Sequence, residues 1–302
     1  MTGEGAPTRC GIVSVLGAPN AGKSTLVNRL VGAKVTIVSP KVQTTRTRVR
    51  GIALKDQTQL IYTDTPGIFA PKRRLDRAMV DAAWGGAADA DVIAVLVDAK
   101  RKIDRDVERI LEGLEMHKIP AALVLNKVDG LKREVLLTLA QTLNDAGSFD
   151  RTFMISALNG SGVGDLEDYF VGLMPEGPWL FPEDEISDLP QRLFAAEVTR
   201  EKAYMRLHQE LPYSLAVETE SWEEFENGSV RIEQNLTVAR ETQKGIVLGK
   251  GGQMIKRIRA EAQQELAEIL ERPVHLFVRV RVREKWAEDP GHFRDWGLRF
   301  DA

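Results

Sequence analysis

Gly17-Ala18-Pro19-Asn20-Ala21-Gly22-Lys23-Ser24 decides the fold. Residues 10–16 before it are apolar and rich in β-branched side chains, which reads as a buried strand. After it, Thr25-Leu26-Val27-Asn28-Arg29-Leu30 has helical spacing. A Gly-x₄-Gly-Lys-Ser run between strand and helix is the phosphate-loop pattern. Its glycines let the backbone curl, so that the N–H groups from Asn20 to Thr25, Ala21 and Gly22 included, face a phosphate at a helix N-terminus. Gly17 opens the turn. Lys23 is expected to reach the β- and γ-phosphates, and the Ser24 hydroxyl to hold Mg²⁺.

Outward from this loop, apolar strands recur at residues 58–62, 92–97, 121–125 and 152–155, with helical stretches at 74–88, 104–116, 132–143 and 163–173. Strands without a polar face, alternating with helices, imply a parallel sheet covered on both sides. Residues 46–54 read as an edge strand antiparallel to the next one. The first domain is therefore an α/β phosphate-loop domain with a mixed, mostly parallel sheet, over residues 1–177. Pro175-Glu176-Gly177-Pro178, then Pro182, Glu183-Asp184-Glu185 and Pro190, break the periodicity, and 178–190 reads as a linker.

Three further segments point to guanine. Asp64-Thr65-Pro66-Gly67 ends a strand, where Asp64 can organise Mg²⁺ and the Gly67 amide can sense a γ-phosphate. Asn126-Lys127-Val128-Asp129 ends another. The Asp129 carboxylate can accept from guanine N1 and the 2-amino group, donors that adenine lacks there, so the wrong base leaves a buried charge unsatisfied. Ser156-Ala157-Leu158, after a fourth strand, fits a backbone loop capping guanine O6. Strand-end placement brings all of them to one edge of the sheet. Lys23 and Gly67 are candidates for catalysis of hydrolysis.

Residues 191–302 read as a second, α+β domain: a helix over 188–207, strands at 215–222 and 230–238 around Asn227-Gly228, a basic helix near 254–271 and a strand at 275–282. Gly249-Lys250-Gly251-Gly252 is a Gly-x-x-Gly loop that lets a nucleic-acid backbone approach its amides and Lys250. Ile255, Ile258, Ala262, Leu266 and Ile269 form one buried helical face, with Lys256, Arg257 and Arg259 off it. That is the construction of a KH domain, which clamps about four nucleotides of single-stranded RNA. Trp286, Phe293 and Trp296 either stack on bases or pack against their own domain.

Composition sets limits on these readings. The 302 residues are 43% hydrophobic and 28% charged, with a formal net charge of -3. Between Lys244 and Lys285 ten Lys/Arg face five Asp/Glu, which suits a confined anionic partner. No run of 18 apolar residues is present, and the first nine residues carry no secretory pattern. Cys10 stands alone, and His117, His208, His275 and His292 share no metal-ligand spacing. A cytoplasmic protein is the expectation.

Taken together, these motifs resemble the translation-factor-related class of small GTPases. Within it, the whole chain is similar to the Era-like ribosome-assembly GTPases of bacteria, whose KH domain is of type II. The resemblance implies a first switch at Val42-Gln43-Thr44-Thr45-Arg46-Thr47-Arg48, in which Thr45, with Thr44 as its competitor, meets Mg²⁺ and the γ-phosphate. It implies GTP and GDP with Mg²⁺ as cofactors. An asparagine placed like Asn20 helps ligate K⁺ in related GTPases, although here it could equally stabilise the turn. The implied partners are the 3′ end of 16S rRNA and the 30S subunit during its maturation, for a monomer in the cytoplasm. Some members also associate peripherally with the inner membrane, for which no basic amphipathic helix outside the second domain speaks here. Two alternatives stand beside this: a GTPase of another RNA process such as tRNA modification, and an RNA-binding module with a vestigial nucleotide site.

Overall fold

The computed structural model describes residues 7–101, 103–116, 120–209 and 211–302; His117 lies outside them. Contacts divide the chain into two units that are not uninterrupted stretches. The first holds residues up to Thr36, Thr45–Asp188 and Trp296–Ala302, and the second Ile37–Thr44 and Leu189–Asp295.

The first unit is a six-stranded sheet of β1 (Arg9–Gly17), β2 (Val49–Lys55), β3 (Thr58–Asp64), β4 (Val92–Asp98), β5 (Ala121–Asn126) and β6 (Arg151–Met154), in the order β2-β3-β1-β4-β5-β6. Only β2 pairs antiparallel, with β3. Side chains alternate between two cores, as a pleated strand requires. Ala94 and Leu96 face α1 (Lys23–Val31) and α5 (Val163–Leu173) through Leu26, Val27, Leu166 and Phe170. Ile93, Val95 and Val97 face α2 (Arg74–Ala88), α3 (Arg105–Glu115) and α4 (Arg133–Ala146) through Ala83, Ile110, Leu136 and Leu143. Asp104 caps α3 by accepting from the amides of Asp106 and Val107.

Residues 178–188, read as linker from composition, are tied along the first sheet instead. The buried Gln59 side chain accepts from the amides of Leu180 and Phe181 at 2.9 and 3.0 Å and donates to the Phe181 carbonyl at 2.8 Å. The Ile52 amide donates to the Ile186 carbonyl at 2.9 Å. A polar, proline-broken segment thus supplies hydrogen bonds to the flank of β2 and β3, which composition does not reveal.

The second unit has α6 (Gln191–Arg206), β7 (Leu215–Glu224), β8 (Val230–Val238), α7 (Glu241–Leu248), α8 (Gln253–Ile269), β9 (Val274–Val282) and α9 (Pro290–Asp295). β8 pairs antiparallel with β7 and parallel with β9. α7 has no counterpart in the sequence reading, because a helix of eight residues with Gly245 inside gives little periodic signal. Ile258, Ala262 and Leu266 are buried as their spacing predicts, whereas Ile255 and Ile269, toward the two ends of the same helix, are only half-buried. Trp286 and Phe293 are buried too, so they pack and cannot offer a face to a base.

Candidate functional site

Strand ends β1, β3, β5 and β6 carry the motif loops. Gly22 precedes α1 with φ of 100°, and a Cβ there would lie 2.4 Å from Asn126 Nδ2, so only glycine fits. Lys23 is buried, and its Nζ donates to the carbonyls of Gly17 and Ala18 at 3.1 and 3.2 Å. Burial pushes its ammonium down to about 8, against the attraction of Asp64.

Hard oxygen donors gather around Asp64. Its Oδ2 accepts from Ser24 Oγ at 2.8 Å, Thr36 Oγ1 at 2.8 Å and Thr45 Oγ1 at 3.1 Å. Ser24 Oγ and Thr45 Oγ1 are themselves 3.0 Å apart. Burial raises the Asp64 carboxyl above its ordinary range, although Lys23 and the three hydroxyls oppose that. The other carboxylate oxygen, Oδ1, is buried with no hydrogen-bond partner among the described residues. One carboxylate, two hydroxyls and an unmatched buried oxygen fit Mg²⁺, which takes few protein ligands and completes its shell with phosphate and water. Among the described residues there is no cluster of three His, Cys, Asp or Glu that would suit a different metal. Thr44 points elsewhere, its hydroxyl bonding Ser39 Oγ and the Lys41 carbonyl. Gly67 lies against the phosphate loop, where a Cβ would be 2.9 Å from Pro19 N. Next to it Ile68 is buried in the core facing α3 and α4.

The loops expected to read the base are braced onto the phosphate loop. Asn126 donates to the Ala21 carbonyl at 2.8 Å and accepts from the Ala157 amide at 2.9 Å. Lys127 Nζ reaches the Asn20 carbonyl at 2.6 Å and Asp98 Oδ2 at 2.7 Å. The Ser156 hydroxyl, and Asn159 donating to Oδ1 at 2.9 Å, hold the Asp129 carboxyl below its usual range. Leu158 is exposed, and its carbonyl, with that of Ala157, accepts from Arg29. Asn20 and Lys127 both sit at positive φ. Thr25 follows Ser24 in the first turn of α1. Thr36, Asp98, Asn159 and Arg29 were not read from sequence. Asp98 alone carried a signal, a carboxylate ending an apolar strand.

In the second unit, Gly249-Lys250-Gly251-Gly252 joins α7 to α8. Gly251 has φ of 60° and open space at its Cβ position, as has Gly252. Lys250, Lys256 and Arg257 are exposed around this turn, and Ile246 presents an apolar surface before it. Arg259 is committed to Gln263 Oε1 and the Leu276 carbonyl instead.

This fold and these sites define a phosphate-loop GTPase carrying a C-terminal KH domain. Residues 12–127 match the family model described as 50S ribosome-binding GTPase, and residues 210–287 match that of a KH domain. GTPase Era of Rhizobium meliloti (strain 1021) is 62% identical over 300 residues, covering 99% of this chain and 96% of that protein. GTPase Era of Agrobacterium fabrum is 60% identical over 302 residues, covering 99% and 95%. The chain belongs to the Era family of GTPases. A crystal structure of Era in complex with MgGDPNP and nucleotides 1506-1542 of 16S ribosomal RNA has a TM-score of 0.91 and 38% identity, covering 96% of this chain and 99% of that one. A single-substitution variant of Aquifex aeolicus Era bound to GDP.AlF4- gives the same score, identity and coverage.

Proposed function

We propose that this GTPase is a molecular switch that binds GTP and Mg²⁺, hydrolyses GTP to GDP and phosphate and, through residues 191–302, binds single-stranded RNA at the 3′ end of 16S rRNA to assist 30S maturation. What carries the reading is that the whole chain, nucleotide site and Gly-x-x-Gly loop together, matches an Era solved with MgGDPNP and that rRNA segment. Lys23 and the loop amides take the phosphates, while Ser24, Thr45 and Asp64 serve the Mg²⁺ site. Asn126, Lys127, Asp129 and the 156–158 loop take the base, and Lys250, Lys256, Arg257 and the loop glycines meet the RNA backbone. Developing charge on the transferring phosphoryl group is stabilised by Lys23, the loop amides and the cation. The test is GTP turnover with and without a short RNA of the 16S 3′ sequence, with crosslinking in lysate and sequencing of the bound RNA. Crosslinks spread evenly over cellular RNA would sink the rRNA assignment.

Three finer readings belong to the same proposal: K⁺ ligation near Asn20, a monomeric state, and a cytoplasmic protein that visits the inner membrane peripherally. Among the described residues no helix is long and apolar enough to cross a membrane. Hydrolysis in K⁺ against Na⁺, light scattering and fractionation test the three in turn. A vestigial nucleotide site is disfavoured by the Asp64 cluster, since burying a carboxylate among three hydroxyls and a lysine has a cost that only a used site justifies.

A further inference from the structure

Residues 37–44, though they lie between α1 and β2 in the chain, fold with the second unit. Four residues of α6 and its end hold them. Glu201 Oε1 accepts from the Val38 amide at 2.7 Å. Lys41 Nζ donates to the carbonyls of Tyr204 and Leu207. The Tyr204 hydroxyl reaches the Gln43 carbonyl at 3.4 Å. Arg200 Nη2 donates to the carbonyl of Thr44.

Arg200 is 1% exposed, an unusual place for a guanidinium. Burial alone would lower its pKa, but the Glu197 carboxylate, which it meets through Nε at 2.7 Å and through Nη2, holds it above the ordinary value. Its Nη1 is buried with no hydrogen-bond partner among the described residues. An apolar side chain would fill the space at lower cost, so the charge is there for what it grips. The group it grips is one half of a planar peptide whose other half is the amide of Thr45. Fixing the carbonyl therefore fixes where the Thr45 side chain starts, and that side chain stands 3.1 Å from Asp64 Oδ2 and 3.0 Å from Ser24 Oγ.

We propose that Arg200 is a positioning residue for GTP hydrolysis: by holding the Thr44 carbonyl it sets Thr45 at the Mg²⁺ site, so that α6 governs whether the switch threonine is in place. The proposal rests on Thr45 being that threonine. Loss of the Thr44 carbonyl would strand a further donor on a cation already short of one partner, so release of the switch is penalised at α6. Coupling of this kind is reciprocal: whatever shifts α6 changes the occupancy of Thr45, and whatever captures Thr45 steadies α6.

Four full-length proteins test it: wild type, Arg200→Met, Thr45→Ala and the double variant, in single-turnover hydrolysis and GDP titration. Each single change is expected to slow hydrolysis about tenfold or more and to raise the Mg²⁺ needed for half-maximal rate, with GDP affinity held within about threefold. The double variant should be no slower than Thr45→Ala alone, because both changes remove one function. An Arg200→Met protein at the wild-type rate, or losses that multiply in the double variant, overturns the proposal. A neutral Thr45→Ala overturns the threonine assignment itself, and the proposal falls with it for that separate reason. Should Arg200→Met fail to fold, Lys41→Met loosens the same segment without emptying α6. Wild-type hydrolysis by Lys41→Met would then be the overturning result, and a loss absent from the Thr45→Ala background the supporting one.

Discussion

Asn126 donates its side-chain amide to the carbonyl of Ala21 at 2.8 Å, so the end of β5 is tied to the phosphate loop by a buried hydrogen bond. The same side chain takes the Ala157 amide, which makes it the brace of three loops. Asn126→Ala strands two buried main-chain groups, at about 1–3 kcal/mol each, or at least ~10-fold in affinity. Neither group depends on a γ-phosphate, so GTP and GDP should weaken equally. Fluorescent-nucleotide titration reads this, and a loss confined to GTP would place the role of Asn126 elsewhere.

Asp129→Asn should weaken GTP and favour xanthosine nucleotides. Xanthine presents a carbonyl where guanine has its amine, and an amide can donate to it. Asn159, which positions the carboxylate from 2.9 Å, gives a graded companion. Asn159→Ala should cost less than about tenfold, without inverting the preference, as loss of one exposed hydrogen bond implies. Competition between GTP and XTP measures both, and unchanged discrimination in Asp129→Asn removes that residue from base reading.

Ile68 follows Gly67 at the end of the Asp-Thr-Pro-Gly run, and its side chain can neither donate to nor accept from water. Its side chain is buried in the core facing α3 and α4. Ile68→Ala should therefore lower stability by about 2–4 kcal/mol. Single-turnover hydrolysis per folded molecule should change by less than about tenfold, ~1.4 kcal/mol in barrier. Denaturant unfolding and quenched-flow rates separate the two. A thousandfold slower reaction in a fully folded variant contradicts the assignment.

Lys23, whose ammonium burial pushes down to about 8, is partly neutral near pH 8. Phosphate favours the ammonium, so GDP binding there should take up a fraction of a proton, and affinity should fall as pH rises through 8. Folding stability should follow the opposite trend. The folded pKa of Lys23 is depressed from 10.5, so the unfolded chain holds the proton longer and stability from this group rises between about 8 and 10.5. Calorimetry in buffers of different ionisation heat counts the protons. No uptake between pH 7 and 9 would mean that Lys23 is fully charged before nucleotide arrives.

Lys250→Asp combined with Gly251→Asp should abolish RNA binding and leave GDP affinity unchanged. Two carboxylates would face backbone phosphates, and like charges at ~4 Å cost about 1–4 kcal/mol apiece near a surface. Asp tolerates the left-handed conformation that Gly251 adopts at φ of 60°, so the turn itself should survive. Filter binding at physiological salt, with circular dichroism as the folding control, decides the matter. Retained affinity would locate the interface away from this loop.

The alternation of strands and helices, the Gly-x-x-Gly turn and the strand-end position of the motif loops were legible in the residues alone. A phosphate loop, an Asp-Thr-Pro-Gly and an Asn-Lys-x-Asp are local signals, since their conformations are written in neighbouring glycines, prolines and strand-ending carboxylates. The helical face of Ile258, Ala262 and Leu266 is local in the same sense, being a matter of period. What the sequence by itself left open was which long-range partner each polar group would find. Thr45 and Thr44 are chemically alike and adjacent, and only the fold puts one hydroxyl on Asp64 and the other on Ser39. Thr36 and Asn159 reach the site from positions with no motif spacing, and Gln59 captures a proline-broken segment far along the chain. The exchange of residues 37–44 and 296–302 between the two units is likewise invisible to periodicity, because a segment's allegiance is settled by burial and hydrogen bonds summed over distant parts of the chain.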